Sequence, residues 1–309
     1  MMKLVGCLSA FVAVFGVTVP AAASARPPAV RVIRISYRAH DGLMRRAFVI
    51  VPADYGEHGQ RPPIPLVISP HGRGVGAKIN VRRWGSLPAA GNFAVVNPEG
   101  QGRALTLFSW GDPGEIRDLA RMPALVEDAL PWLHIDRRRV YAFGGSMGGQ
   151  ETLLLLARYP RLLAGAASFD APTNMAARYR ALGQLPFGPG LQDLVRSEVG
   201  GTPESDPRGY AVRSPIDYAR RIAFSGVPLQ IWWSTRDRIV TDGDGESGLL
   251  YRDIKRLNPD APVAEFVGRW AHTTEMKQYG FLPYALSRFG LMPPRAAPPA
   301  AHGRLGVEV

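Results

Sequence analysis

Along the chain, apolar and polar positions follow two successive regimes. Residues 30–37 and 46–51 carry β-branched and aromatic residues interrupted by arginine and serine, and Asp41-Gly42 between them is a tight-turn pair. This predicts an antiparallel hairpin, since alternation with a period of two gives each strand one apolar face. Beyond Pro52 the runs become short and wholly apolar. Residues 65–69 (PLVIS) and 93–97 (FAVVN) end in turn residues, as strands buried on both faces do. Ile116, Leu119, Met122, Leu125, Val126 and Leu130 recur at helical spacing within 116–133. A strand at 139–143, a helix at 151–158 stopped by Pro160, and a strand at 163–169 follow. Residues 173–225, rich in Gly, Pro and Arg with weak periodicity, read as an insertion over the sheet edge. Strands at 227–234 and 263–267 enclose a helix at 248–257, and a last helix is expected over 274–289. The alternation predicts an α/β fold: a mostly parallel sheet with an N-terminal antiparallel hairpin and helices on both faces.

The two ends read differently from this middle. Lys3, the uncharged apolar run 4–19 and Ala23-Ser24-Ala25 have the layout of a secretory signal peptide spanning residues 1–25. Cleavage after Ala25 and secretion are expected. The run is short for a membrane span. Leu4-Val5-Gly6-Cys7 spells a lipoprotein box, but most of the apolar run follows Cys7 instead of preceding it, so no stable membrane anchor is expected. The Pro/Ala-rich segment 292–309 reads as a disordered tail, which leaves one domain over 26–291.

Composition narrows the function classes. With 309 residues, 46% hydrophobic and 20% charged, the chain is neither disordered throughout nor collagen-like nor a coiled coil. Six His and one Cys, the latter within the signal segment, exclude a disulfide framework and a Cys/His zinc array. The formal net charge is +11, carried almost wholly by arginines spread along the chain. No basic block interleaves with aromatics, so the charge reads as solvated surface and no nucleic-acid partner is expected.

Chemistry concentrates in Gly144-Gly145-Ser146-Met147-Gly148, a G-x-S-x-G motif with a predicted strand running into it and a predicted helix out of it. Such a turn strains the serine backbone and tolerates only small neighbours, which Gly144 and Gly148 supply. A serine hydroxyl needs an imidazole to take its proton, and the imidazole needs a carboxylate to set its tautomer. In the order Ser, acid, His, the histidine is His272, after the last strand; His302 lies in the Pro/Ala tail. Asp237, following strand 227–234, is the preferred acid, with Asp170 its rival; Asp242 and Asp244 sit in a Gly-rich loop. Backbone N–H groups for an oxyanion would come from Met147 and from the loop His71-Gly72-Arg73-Gly74, through Arg73 or, alternatively, Gly74. His71 would brace that loop. A dinucleotide fingerprint at Gly72-x-Gly74-x-x-Ala77 is weak because Pro70-His71 interrupts the turn. Asp242-Gly243-Asp244-Gly245-Glu246 lacks the glycine that a calcium loop needs at its sixth position. No metal or organic cofactor is implied.

Val49-Ile50-Val51-Pro52, Pro70-His71-Gly72, Asn97-Pro98-Glu99-Gly100, Arg139-Val140-Tyr141 and Gly145-Ser146-Met147-Gly148-Gly149 together resemble secreted α/β-hydrolase esterases of the polyhydroxybutyrate depolymerase and feruloyl esterase kind. From Arg213-Ser214-Pro215-Ile216-Asp217-Tyr218 to His272 the chain is more similar to the catalytic domain of prolyl oligopeptidases. The resemblance covers about two-thirds of the chain. It implies an α/β-hydrolase fold and a serine hydrolase with Ser146, Asp237 and His272 as its triad. A small-molecule or polymer-derived ester is the expected substrate. A serine peptidase acting on short peptides is the alternative, and a non-catalytic protein retaining the fold is the second. Two departures stand out: Arg73 occupies a position where the depolymerase-type loop often has cysteine or tyrosine, and no substrate-binding domain is expected after the catalytic part. Trp110, Trp232 and Trp233 could line an acyl pocket or belong to the core.

Overall fold

A computed structural model of the chain describes residues 29–56, 59–276, 280–297 and 306–308. The expected signal peptide lies outside them. Among the described residues, nine strands form one sheet in the order β1-β2-β4-β3-β5-β6-β7-β8-β9. β1 (Val30–Arg38) and β2 (Met44–Pro52) make the expected hairpin, with Gly42 at φ 83° in its turn. β2 joins β4 (Ala94–Pro98) antiparallel. From β4 the sheet runs parallel through β3 (Ile64–Ile68), β5 (Ile135–Gly145), β6 (Gly165–Phe169), β7 (Leu229–Ser234) and β8 (Val263–Gly268). The helices are α1 (Ala77–Trp84), α2 (Leu87–Gly91), α3 (Pro113–Ala129), α4 (Met147–Arg158), α5 (Met175–Leu182), α6 (Gly188–Val199), α7 (Pro207–Ala211), α8 (Ala219–Ala223), α9 (Leu249–Leu257) and α10 (Phe281–Arg288).

Both faces of the parallel strands are buried, which explains why they read as unbroken apolar runs. Val140 and Ala142 of β5, with Leu229, Ile231 and Trp233 of β7, face one core with α3, α4, α8 and α9. Tyr141, Phe143 and Trp232 face the other, with α1 and α10. Trp232 stacks on Phe266 with ring centroids 4.1 Å apart, and is therefore core and not pocket. Trp233 lies in the opposite core and donates its indole N–H to Glu265 Oε1 at 2.7 Å. Helix α4 is buried all round from Met147 to Ala157, so amphipathic periodicity gives no warning of its start at the motif itself.

Three sequence expectations change. Helix α3 begins at Pro113, earlier than the apolar period suggests, because Asp112 accepts hydrogen bonds from Gly114 N–H (2.7 Å) and Glu115 N–H (3.2 Å) as its N-cap. The helix expected over 274–289 is instead a 3₁₀ turn, Thr274–Met276, and α10, which starts after Gly280 at φ 76°. The insertion 173–225 folds as α5 to α8 and is not confined to the sheet edge: Met175, Tyr179, Leu182, Val195, Val199 and Tyr210 pack with Met147 and Trp110 at the C-terminal end of central strand β5. At the chain end, Met292 is buried and Gly306–Glu308 pairs antiparallel with β8 as β9. Residues 298–305 and 309 of the tail expected to be disordered lie outside the described residues.

Candidate active site

The sequence-selected residues gather at one edge, where the parallel strands end. Ser146 follows β5 directly and precedes α4, at φ 58° and ψ −127°, a conformation that L side chains rarely adopt. Its N–H donates to Phe169 O at 2.8 Å, locking the turn onto β6. A Cβ on Gly144 would overlap the Gly148 carbonyl, and one on Gly148 would overlap the Pro70 carbonyl. The G-x-S-x-G glycines are thus required by backbone approach, first within the turn and then by the loop after β3.

Asp237 follows β7 and His272 follows β8. His272 Nδ1 lies 2.6 Å from Asp237 Oδ2. Asp237 Oδ1 accepts from Ile239 N–H at 2.7 Å and Val240 N–H at 3.0 Å, so its side chain, 2% exposed, is held from both ends. A carboxylate can only accept, which makes His272 Nδ1 the donor and leaves Nε2 as the basic nitrogen. The flanking Arg236 and Arg238 are exposed and form no ion pair with Asp237. His272 sits beside the motif: a Cβ on Gly145 would lie 3.0 Å from Thr273 Cγ2 and 2.6 Å from Met276 Sδ.

Asp170 belongs to the same cluster but serves the scaffold. Ligand atoms of Asp170, Asp237 and His272 lie within 4.8 Å of one another. Asp170 Oδ2 accepts from Thr273 N–H at 2.6 Å and from the Trp270 indole N–H at 3.1 Å. It therefore grips the loop on both sides of His272. Asp170 and Thr273 have positive φ, 46° and 53°, and with Ser146 concentrate backbone strain around one point. Ser234 Oγ adds a further tie, accepting from Trp270 N–H at 2.8 Å and donating to Trp270 O at 2.6 Å.

The loop 71–74 lies against the elbow, and a Cβ on Gly72 would stand 3.8 Å from Ser146 Cβ. Gly74 N–H donates to Leu107 O at 2.9 Å, which leaves Arg73 N–H as the loop amide for an oxyanion. Met147 N–H, in the first turn of α4, has no acceptor within its helix. His71 braces the loop as expected: Nδ1–H donates to Gly72 O at 2.9 Å while Nε2 accepts from Gly100 N–H at 3.0 Å. Burial pushes its imidazole pKa down, matching the neutral form that this pattern needs.

Other buried polar groups escape sequence reading because their partners are distant. Glu198 of the insertion accepts from Ala104 N–H and Leu105 N–H, both at 2.9 Å, and from Arg213 Nη2 at 3.1 Å. Glu246, in the calcium-loop-like run, accepts from Thr173 and Asn174 N–H, while Asp244 pairs with Arg252. A second compact set, His40, Glu115 and Asp118, is hydrogen-bonded internally and to the backbone.

A strand order with β3 and β4 exchanged, a serine elbow after β5 and acid and histidine after β7 and β8 define a known architecture. The fold is that of the α/β-hydrolases. Structure comparison agrees. The S-formylglutathione hydrolase of Staphylococcus aureus superposes with TM-score 0.60 at 17% identity, covering 85% of this chain and 98% of that one. The acylaminoacyl peptidase of Pyrococcus horikoshii superposes with TM-score 0.62 at 18% identity, covering 84% of this chain and 41% of that one. In sequence, this chain is 32% identical over 221 residues to poly(3-hydroxyalkanoate) depolymerase C of Paucimonas lemoignei, spanning 67% of this chain and 49% of that protein. The chain thus spans about half the length of the curated relative it matches. No family model matches it. The expected resemblance to esterases and peptidases of this fold holds.

Proposed function

We propose that this α/β-hydrolase cleaves carboxylic esters through an acyl-Ser146 intermediate. The observation that carries the reading is the 2.6 Å His272–Asp237 hydrogen bond, set on loops beside the strained serine elbow. In the proposed reaction Ser146 Oγ attacks the ester carbonyl carbon as His272 Nε2 takes the hydroxyl proton. The carbonyl oxygen becomes an oxyanion facing the N–H groups of Met147 and Arg73. The C–O bond to the alcohol breaks, and the proton on His272 goes to the leaving oxygen. Water then attacks the acyl-enzyme, giving its proton to His272. Collapse of this second intermediate frees the carboxylic acid, and the proton returns to Ser146. Asp237 orients His272 and stabilises the imidazolium throughout.

The preference for esters over peptides rests on likeness to the depolymerase of Paucimonas lemoignei. We also propose that residues 1–25 direct export. The test is hydrolysis of 4-nitrophenyl acyl esters, acetyl to decanoyl, beside peptide 4-nitroanilides, with Ser146→Ala as control. Ester turnover abolished in Ser146→Ala is expected. Turnover of anilides only would move the assignment to a peptidase, and loss of neither activity in Ser146→Ala would remove the nucleophile. Mass spectrometry of the exported protein checks for an N-terminus at Arg26.

A further inference from the structure

We infer that the Arg73 guanidinium is a docking point for a carboxylate carried by the ester substrate; this rests on the hydrolase reading above. Arg73 is the one residue of the His71-Gly74 loop whose side chain carries a permanent charge, and a Cβ on the preceding Gly72 would stand 3.8 Å from Ser146 Cβ. The Arg73 guanidinium lies over the Trp110 ring, 5.8 Å from its centroid. Trp110 is itself packed against Met147, the residue after the nucleophile, with Trp110 N–H donating to Met147 Sδ at 3.4 Å. The charge is thus placed on the insertion-facing side of the elbow and steadied by an aromatic face.

No internal anion answers it. Among the described residues Arg73 forms neither an ion pair nor a side-chain hydrogen bond. The side chain is half-buried, and burial lowers its pKa without an offsetting carboxylate. A guanidinium nevertheless stays protonated under ordinary conditions. Burial, and after it the like charge of Arg73, disfavours the charged form of Arg178 of α5, which is 3% exposed and whose Nε is buried without a hydrogen-bond partner.

The carboxylates that act on Arg178 are already engaged. Glu246 holds the Thr173 and Asn174 N–H groups, and Asp237 holds His272. Three more arginines, Arg236 and Arg238 beside Asp237 and Arg269 three residues before His272, are exposed on the loops that form the rim. Arg73, Arg178, Arg236, Arg238 and Arg269 thus lie on the elements that carry the site, against the carboxylates of Asp170, Asp237 and Glu246. A bidentate guanidinium–carboxylate contact suits that environment, and the rim would attract anionic substrates from a distance.

The test compares substrates matched except for charge. On the acyl side these are 4-nitrophenyl hydrogen glutarate and adipate against their methyl esters. On the alcohol side they are 4-carboxyphenyl butyrate against 4-(methoxycarbonyl)phenyl butyrate. Each rate is corrected for Ser146→Ala background and normalised to hydroxide-catalysed hydrolysis. Wild type is expected to favour the charged member in kcat/KM by about ten- to a hundredfold on at least one side, the value of a hydrogen bond to a charged partner. Arg73→Met should bring that ratio to near one and Arg73→Lys to an intermediate value. Added NaCl should shrink the wild-type ratio. A wild-type ratio at or below one on both sides overturns the inference, as does a preference that survives Arg73→Met. If neutral esters turn over without any charge preference, only this inference fails; if no ester turns over in the wild type, the hydrolase reading fails and takes it along.

Discussion

Replacing Asp237 and Asp170 separately by asparagine should have unlike consequences, and the hydrogen bonds give the size of each. At position 237 one carboxylate oxygen faces Ile239 and Val240 N–H and the other faces His272 Nδ1. Asparagine has one acceptor oxygen, and two backbone donors claim it. Its amide nitrogen then points at His272, so Nδ1 must become the acceptor and the ring proton moves to Nε2. That tautomer cannot take a proton from Ser146. The expected loss in kcat is about 10⁴-fold, with little change in folding stability. At position 170, Thr273 N–H and the Trp270 indole N–H both donate to Oδ2, the indole N–H also reaching Oδ1 at 3.3 Å. An asparagine oxygen can replace Oδ2, so the loop keeps its bonds but loses their charge assistance, at a cost of about 1–3 kcal/mol. At about 2–4 °C per kcal/mol for a domain of this size, the fall in Tm should be measurable. Turnover should drop about tenfold as the His272 loop loosens. The assay is 4-nitrophenyl butyrate hydrolysis, corrected for Ser146→Ala, beside thermal unfolding of both variants. Near-normal turnover in Asp237→Asn with inactive, fully stable Asp170→Asn would reverse the assignment.

Three further outcomes follow from buried contacts. Gly144→Ala should destabilise the fold by about 3 kcal/mol, because the new Cβ overlaps the Gly148 backbone first and then Thr152 Oγ1; unchanged denaturant unfolding would refute the elbow geometry. Glu151, buried in α4 and accepting from Ser109 Oγ, has its pKa pushed up to about 8 by burial, against 4.5 ordinarily. A raised folded pKa gives stability that is full below about 4.5 and lost as pH rises through 8, so wild-type Tm should fall toward pH 9 while Glu151→Gln falls less. Parallel pH profiles would contradict this. Glu198→Ala leaves Arg213 with Asp112 as its one remaining carboxylate and removes the acceptor of the Ala104 and Leu105 N–H groups, and should cost about 1–3 kcal/mol in chemical denaturation.

Much of this chain was legible in its sequence because the deciding forces are local. A strand followed within one residue by a helix forces a strained serine, and only glycines at 144 and 148 leave room for it, so the elbow could be read from a single segment. The parallel strands were visible because burial on both faces demands unbroken apolar runs. Capping at Asp112 and the break at Gly280 were local too, but they act through hydrogen bonds and φ, which apolar spacing does not encode. Tertiary structure alone separated Asp237 from Asp170. Both follow neighbouring parallel strands, β7 and β6, and their carboxylates share one cluster, so spacing cannot rank them. The choice lies in which oxygen meets His272 and which meets the loop around it. The engagement of the Gly74 N–H was hidden for a similar reason, since its acceptor is the carbonyl of Leu107, a residue 33 positions away. Positions of donors and acceptors across the sheet edge are set by packing of the whole domain, and no short stretch of chain contains that information.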